Sequence, residues 1–456
     1  MEGIKLKISS WLSRQPSWVF ALYASFTAFF VYSCMYAFRK PFAVGTFDEL
    51  SLWGVDYKIW LITSQVIGYT LSKFLGIKYV SEMTNNARTY YILALVGAAE
   101  VALLLFWVVP QPYNFIFMFF NGLPLGMIWG AVFGYLEGRR LTELLGAGLC
   151  VSFIVASGVV KTVGGLVMIH FGVSEFAMPF ITGLIFAIPL VISVFFLDAV
   201  PPPTAEDEKL RTKRAPMNKA ERKEFMAKFS IGIVLLVITY VFLTIFRELR
   251  DNFSAEIWNS LGYGNDASIF TVAELPVALF TLLSLALVTF VRSNFKAFNI
   301  ILAIIFVSFL LVIVATLLFE RQFIEGKLWM VLMGIGLYLG YVPFNAFLYE
   351  RLISSFRYIS NIGFLIYVSD AFGYLGSLGV VLYKNFYTPN ISWVKFFSLS
   401  GFWFSLVGLV LMALSMIYFN VKYRRFRQSG IRAEEQENDF ASGTTAPEFL
   451  INRTNK

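Results

Sequence analysis

Residues 31–42 read VYSCMYAFRKPF. The stretch closes an apolar run that begins near Val19, so it reads as the end of a membrane-spanning helix. Yet it carries two adjacent cations, Arg39 and Lys40, and two tyrosines one helical turn apart, Tyr32 and Tyr36. Ionisable groups at membrane depth are costly, and they face a bundle interior or a water-filled cavity. Tyr32 and Tyr36 precede Arg39 by seven and three residues, which places all three on one helical face. Lys40 projects roughly 100° away on that geometry and is expected at the outer rim, snorkelling to water.

The rest of the composition agrees with a membrane setting. Of 456 residues, 58% are hydrophobic, 14% are charged and 49 are phenylalanine; a soluble domain averages roughly 25% charged residues. The lipid bilayer is therefore the solvent. The net charge of +8 sits mostly in alternate loops, which is topology information and no sign of a nucleic-acid partner. Cys34 and Cys150 lie in apolar runs, and His170 is the single histidine. These offer no disulfide framework, metal cluster or Ser-His-Asp triad. No P-loop is present either, so neither an enzyme, a metal nor a cofactor is expected.

A spanning helix needs roughly 20 apolar residues, and twelve runs satisfy this. They are 17–38, 58–79, 89–109, 114–136, 144–169, 177–197, 229–248, 267–290, 298–318, 328–350, 357–382 and 394–420. A basic amphipathic lead-in, 1–16, precedes the first six-helix bundle, 17–197. A triple proline opens a polar linker, 198–228; a second bundle, 229–420, and a disordered tail, 421–456, follow. Lys5, Lys7 and Arg14, then Arg139 and Arg140, the linker cations, and Lys422 to Arg427 all fall on one side, while 110–113 and 171–176 hold no Lys or Arg. By the positive-inside rule both termini are cytoplasmic, and the expected location is a bacterial inner or plasma membrane.

The two bundles repeat. Arg39 to Phe42 lies over Arg250 to Phe253, 211 positions later; Ser157 over Ser369 and Gly164 over Gly376 give 212; Gly126 over Gly340 gives 214. Two six-helix halves, pseudo-symmetric about the membrane normal, make an all-α membrane protein of the major facilitator superfamily fold, with its site near the midplane between the halves. Spans one and seven then face each other, so Arg39 finds a counterpart in the cluster Arg247, Glu248, Arg250 and Asp251.

Lys73 in span two and Lys161 in span five add cations to that cavity, and Tyr32, Tyr36, Tyr69, Tyr341 and Tyr374 add hydroxyls. Arginine binds two oxygens of an anion at once, and lysine adds a compact charge. Several cations converging on one cavity repel each other without an anion, so the expected solute is a small anion, dianionic by that argument. The bland alternative is a salt-bridge network in which Glu248, Asp251, Glu274 and Asp370 neutralise the cations. Tyrosines are weak signals alone, because aromatic belts and packing account for most of them. Glycines 164, 165, 373, 376 and 379 are expected to let helices approach closely.

These residues resemble the organophosphate:phosphate antiporters of the major facilitator superfamily. The likeness lies in Tyr32, Tyr36 and Arg39; in Tyr69, Ser72, Lys73 and Phe74; in Gly126, Met127 and Trp129; in Val163, Gly164 and Gly165; and in Phe372 to Gly376. The resemblance places the family's second arginine on Arg247, whereas the repeat favours Arg250; Lys161 stands where the family has a histidine. The loop 76–88 keeps only Glu82 and Arg88 of the superfamily's Asp-Arg pair, and Asp370 is an added acid. The resemblance implies a secondary transporter that exchanges a phosphorylated or other organic anion by alternating access, with inorganic phosphate as a coupling ion; a monomer is expected. Two other readings stay open. Protons would drive symport through Asp370 or Glu274, or a transporter-like sensor would dock partners on its loops.

Overall fold

The computed structural model describes the chain except residues 1, 49, 82–84, 137–138, 140–141, 204–218, 357–361, 389 and 442–456. Glu82, Arg140, the middle of the linker and the end of the tail therefore lie outside the described residues. A surface helix, Glu2–Leu12, leads in. The first half then runs Ser17–Tyr36, Tyr57–Ser81, Asn85–Val108, a fourth span broken into Ile116–Leu125 and Ile128–Phe133, Thr142–Phe171 and Met178–Asp198. The second half runs Lys219–Asn252, Ile269–Thr289, Asn294–Glu320, a tenth span broken into Gly326–Ala346 and Leu348–Ser355, Ile362–Tyr387 and Trp393–Ala441. Among the described residues, ten helices are long and apolar enough to cross a membrane. The second and eleventh spans complete the twelve, and they carry Lys58 and Lys73, and Asp370 and Lys384.

Side chains such as Phe26 and Ile188 stand 63% and 72% exposed on the outside of the bundle, where lipid replaces water. Pro124 and Pro343 sit inside the fourth and tenth spans, and each removes a helical hydrogen bond in a span that breaks. Two sequence boundaries are corrected. The seventh helix starts at Lys219 rather than 229, and the twelfth continues to Ala441, so 421–441 is helix and not a disordered tail. Both extensions are rich in Lys, Arg, Glu and Ala and free of proline, a composition with high helix propensity.

Both halves pack alike. Span one lies against five and six, two against four, and three against four and six; span seven lies against eleven and twelve, eight against ten, and nine against ten and twelve. The halves meet where the second span packs on the eleventh and the fifth on the eighth. A short hairpin, β1 (Ser51–Leu52) and β2 (Val55–Asp56), sits over the face opposite the termini. Its turn places Trp53 and Gly54 at φ 55° and 75°.

Candidate functional site

The first span does not continue as α-helix to Arg39. Helix ends at Tyr36, residues 37–40 form turns, and Pro41 opens a 3-10 segment to Val44. Proline lacks the N–H that would continue the ladder. The carbonyls this releases are capped by amides: Asn121 donates to the Phe38 carbonyl at 2.8 Å, and Gln65 donates to that of Arg39 at 3.0 Å. Gln65 also donates to Asn121 at 2.8 Å, so a polar clamp from the second and fourth spans fixes the break.

The break aims Arg39 into a cavity between the halves. Its guanidinium lies 3.7 Å above the ring of Tyr69 and is 2% exposed. Among the described residues it makes no ion pair, and its Nε has no hydrogen-bond partner. Arg247 enters from the opposite half, 6% exposed. Its Nη2 donates to Glu248 at 2.6 Å and to the Tyr374 hydroxyl at 2.9 Å, and the Tyr341 ring lies 4.6 Å away. Tyr69 and Tyr374 meet edge to face across the two halves at 5.0 Å. Lys73 pairs with Asp370 at 3.1 Å. Asp370 also accepts from Tyr240 at 2.5 Å, and the Tyr240 and Tyr341 hydroxyls lie 3.0 Å apart.

A narrow cavity of about 20 Å³ of water-accessible space is lined by these groups. Of the predicted binding residues, Arg39, Arg247, Lys73, Tyr32, Tyr36, Tyr69, Tyr341 and Tyr374 all border it, and so does Asp370. Trp129, Phe153, Asn345 and Ile366 border it too; sequence reasoning named Trp129 only for the family likeness and missed the other three. Asn345 follows Tyr341 by four residues, so helical spacing carried a signal for it.

Lys161 is not in this cavity. It lines a second, smaller pocket with Arg250, Asp251 and Glu274. Its Nζ lies 2.5 Å from Asp251 Oδ1 and donates to the Asp251 carbonyl at 2.6 Å, while Ser157 also donates to that carboxylate. Lys40 meets the other oxygen, Oδ2, at 2.5 Å, donates to Asn252 at 3.0 Å, and lies 3.5 Å from Glu248. The rim placement of Lys40 is thereby corrected: it is 1% exposed, because the turn after Tyr36 delivers it to the seventh span. Arg250 is also buried; it pairs with Glu274 and donates to the Met330 carbonyl at 3.2 Å. Of the two candidates, Arg247 is the one that shares a cavity with Arg39.

Closer to the face opposite the termini the halves are tied again. Lys58 pairs with Glu256 at 2.6 Å, and the Thr162 and Thr271 hydroxyls lie 2.7 Å apart. Gly158 permits this approach of the fifth and eighth spans, since a Cβ there would sit 2.5 Å from the Phe270 carbonyl. In the central constellation six buried cations (Arg39, Lys40, Lys73, Lys161, Arg247, Arg250) face four carboxylates (Glu248, Asp251, Glu274, Asp370). Most of the expected repulsion is therefore neutralised internally, and two positive charges remain. Among the described residues no group of His, Cys, Asp and Glu has a metal-binding arrangement, and Cys34 and Cys150 are buried free thiols.

Residues 41–422 match a family described as "Family of unknown function (DUF5690)". No curated protein matches the sequence. Among solved structures the chain is similar to the nucleoside transporter NupG, at 15% identity and a TM-score of 0.56, over 88% of this chain and 99% of that one. It is similar also to a bacterial homologue of the human drug peptide transporters PepT1 and PepT2, at 11% identity and a TM-score of 0.57, over 89% and 99%. At these identities the likeness shows the fold: twelve membrane helices in two six-helix halves, the major facilitator fold of an integral membrane protein.

Proposed function

The chain belongs to the DUF5690 family, and we propose that it is a secondary transporter that carries a small organic anion by alternating access. Arg39 carries this reading. An uncompensated charge at its depth costs several kcal/mol, while a cation–π contact such as that with Tyr69 returns about 0.5–2 kcal/mol. The remainder is offset when an anion enters the cavity. Arg39 and Arg247 then hold the head group from opposite halves, with Lys73 and the tyrosine hydroxyls beside them. An empty carrier would have to move an unpaired Arg39 through a low-dielectric interface, so exchange of one anion for another is favoured. The likeness to organophosphate:phosphate antiporters supplies the first class to try, phosphorylated metabolites against inorganic phosphate. Both transporters named above, for nucleosides and for peptides, share the fold and support transport as the activity. The cation distribution supports cytoplasmic termini.

The test is counterflow in proteoliposomes. Vesicles preloaded with inorganic phosphate are offered labelled phosphate, glycerol 3-phosphate, glucose 6-phosphate or succinate. Accumulation of at least one anion, abolished in Arg39→Gln, supports the reading; uptake of a neutral solute such as uridine with no anion transported overturns it.

Asp370 favours a second reading, proton-coupled uptake. It borders the same cavity and is shared between Lys73 and Tyr240, so a proton on it would release Lys73. Uptake driven by a pH gradient, lost in Asp370→Asn with solute binding retained, would select this reading.

A further inference from the structure

On the face carrying both chain termini, the start of the seventh helix and the end of the twelfth enclose a groove of about 840 Å³. Its walls are apolar. Ile231 and Leu235 come from the seventh helix, and Leu414, Ile417 and Val421 from the twelfth. The last three fall at intervals of three and four residues, on one helical face. Ile231 and Ile417 are 62% and 63% exposed. At the groove's terminus-side end stand Lys228, Lys422 and Arg425, and among the described residues no carboxylate lines it. The Lys422 ammonium is held there, donating to the Lys228 carbonyl and to the Tyr418 hydroxyl at 3.2 Å.

We infer that this groove binds an anionic phospholipid, its acyl chain along Ile231, Leu235, Ile417 and Val421 and its phosphate on Lys422 and Arg425. Both helices cross the membrane, so the medium beside the apolar walls is acyl chain. The cations lie where an apolar span becomes polar, at headgroup level. Basic pockets between membrane helices take anionic headgroups, each cation contributing about fivefold in affinity. The nearby segment 204–218 offers only Leu210 and Met217 as large apolar side chains, too few to fill such walls. The central cavity shares no residue with the groove, so this inference does not depend on the transported solute.

Native mass spectrometry of the purified chain, in micelles containing equal phosphatidylglycerol and phosphatidylcholine, tests it. Wild type should retain phosphatidylglycerol preferentially. Lys422→Gln and Arg425→Gln should each weaken that retention about fivefold, while Arg424→Gln, outside the groove, should not. Arg425 is exposed, so that variant keeps the test alive if the Lys422 variant fails to fold. A photoreactive residue at Ile417 in vesicles of the same lipids should capture lipid. Equal retention of the two lipids, an equal effect of Arg424→Gln, or capture of the 204–218 peptide instead of lipid would overturn the inference.

Discussion

Lys161 of the fifth span and Asp251 of the seventh lie 2.5 Å apart, Nζ to Oδ1, and thereby tie one half of the molecule to the other. Because Lys40 takes the second carboxylate oxygen, one acid holds two lysines of the first half. Removing one member of a buried charge group costs about 3–5 kcal/mol, since the partners stay buried without compensation. Asp251→Asn should therefore lower the melting temperature sharply. It should also loosen the contact between the fifth and eighth spans. A cysteine placed at Thr162 should then react faster with a membrane-impermeant maleimide in the Asp251→Asn background. Unchanged labelling would mean that Asp251 does not hold that face shut.

Lys73 and Asp370 form the matching tie between the second and eleventh spans. A double-mutant cycle with Lys73→Met and Asp370→Asn should give a coupling of about 0.5–3 kcal/mol in thermal stability. The double variant should be more stable than the two single losses added together. Additive losses would show that the pair contributes no mutual energy.

Helix packing gives a third expectation. A Cβ on Gly122 would sit 2.2 Å from the Gln65 carbonyl, whereas one on Gly97 would meet nothing within 4 Å. Gly122→Val should separate the second and fourth spans and disturb the Gln65–Asn121 clamp behind Arg39, and little monodisperse protein should elute in size-exclusion chromatography. Gly97→Ala should elute like wild type, with stability unchanged or raised by up to about 1 kcal/mol.

Hydropathy made the twelve spans legible, and the repeat made the facing of spans one and seven legible. The tyrosines around the cavity followed from spacing along single helices, which survives folding. Lys40 did not, because its orientation depends on the helix ending at Tyr36, and a periodic projection assumes that the helix continues. The repeat nevertheless held a clue: at the 211-residue offset Lys40 lies over Asp251, and symmetry-related positions meet at the axis between halves. Lys161 was misplaced toward the Arg39 cavity, and the choice between Arg247 and Arg250 stayed open, for a different reason. Which carboxylate neutralises which cation is set by tertiary packing across 90 residues for Lys161 and 24 for Arg250, and no local pattern encodes it.

The central claim is that Arg39 is a buried cation awaiting an anion. Thermal unfolding of the purified protein, wild type and Arg39→Gln, each with and without the anion that shows counterflow, tests it most directly. Without anion, the variant should melt at or above the wild-type temperature, because an uncompensated buried charge has been removed. With anion, wild type should gain stability in proportion to occupancy, and Arg39→Gln should gain none. A variant that melts well below wild type and is still stabilised equally by the anion would contradict the account.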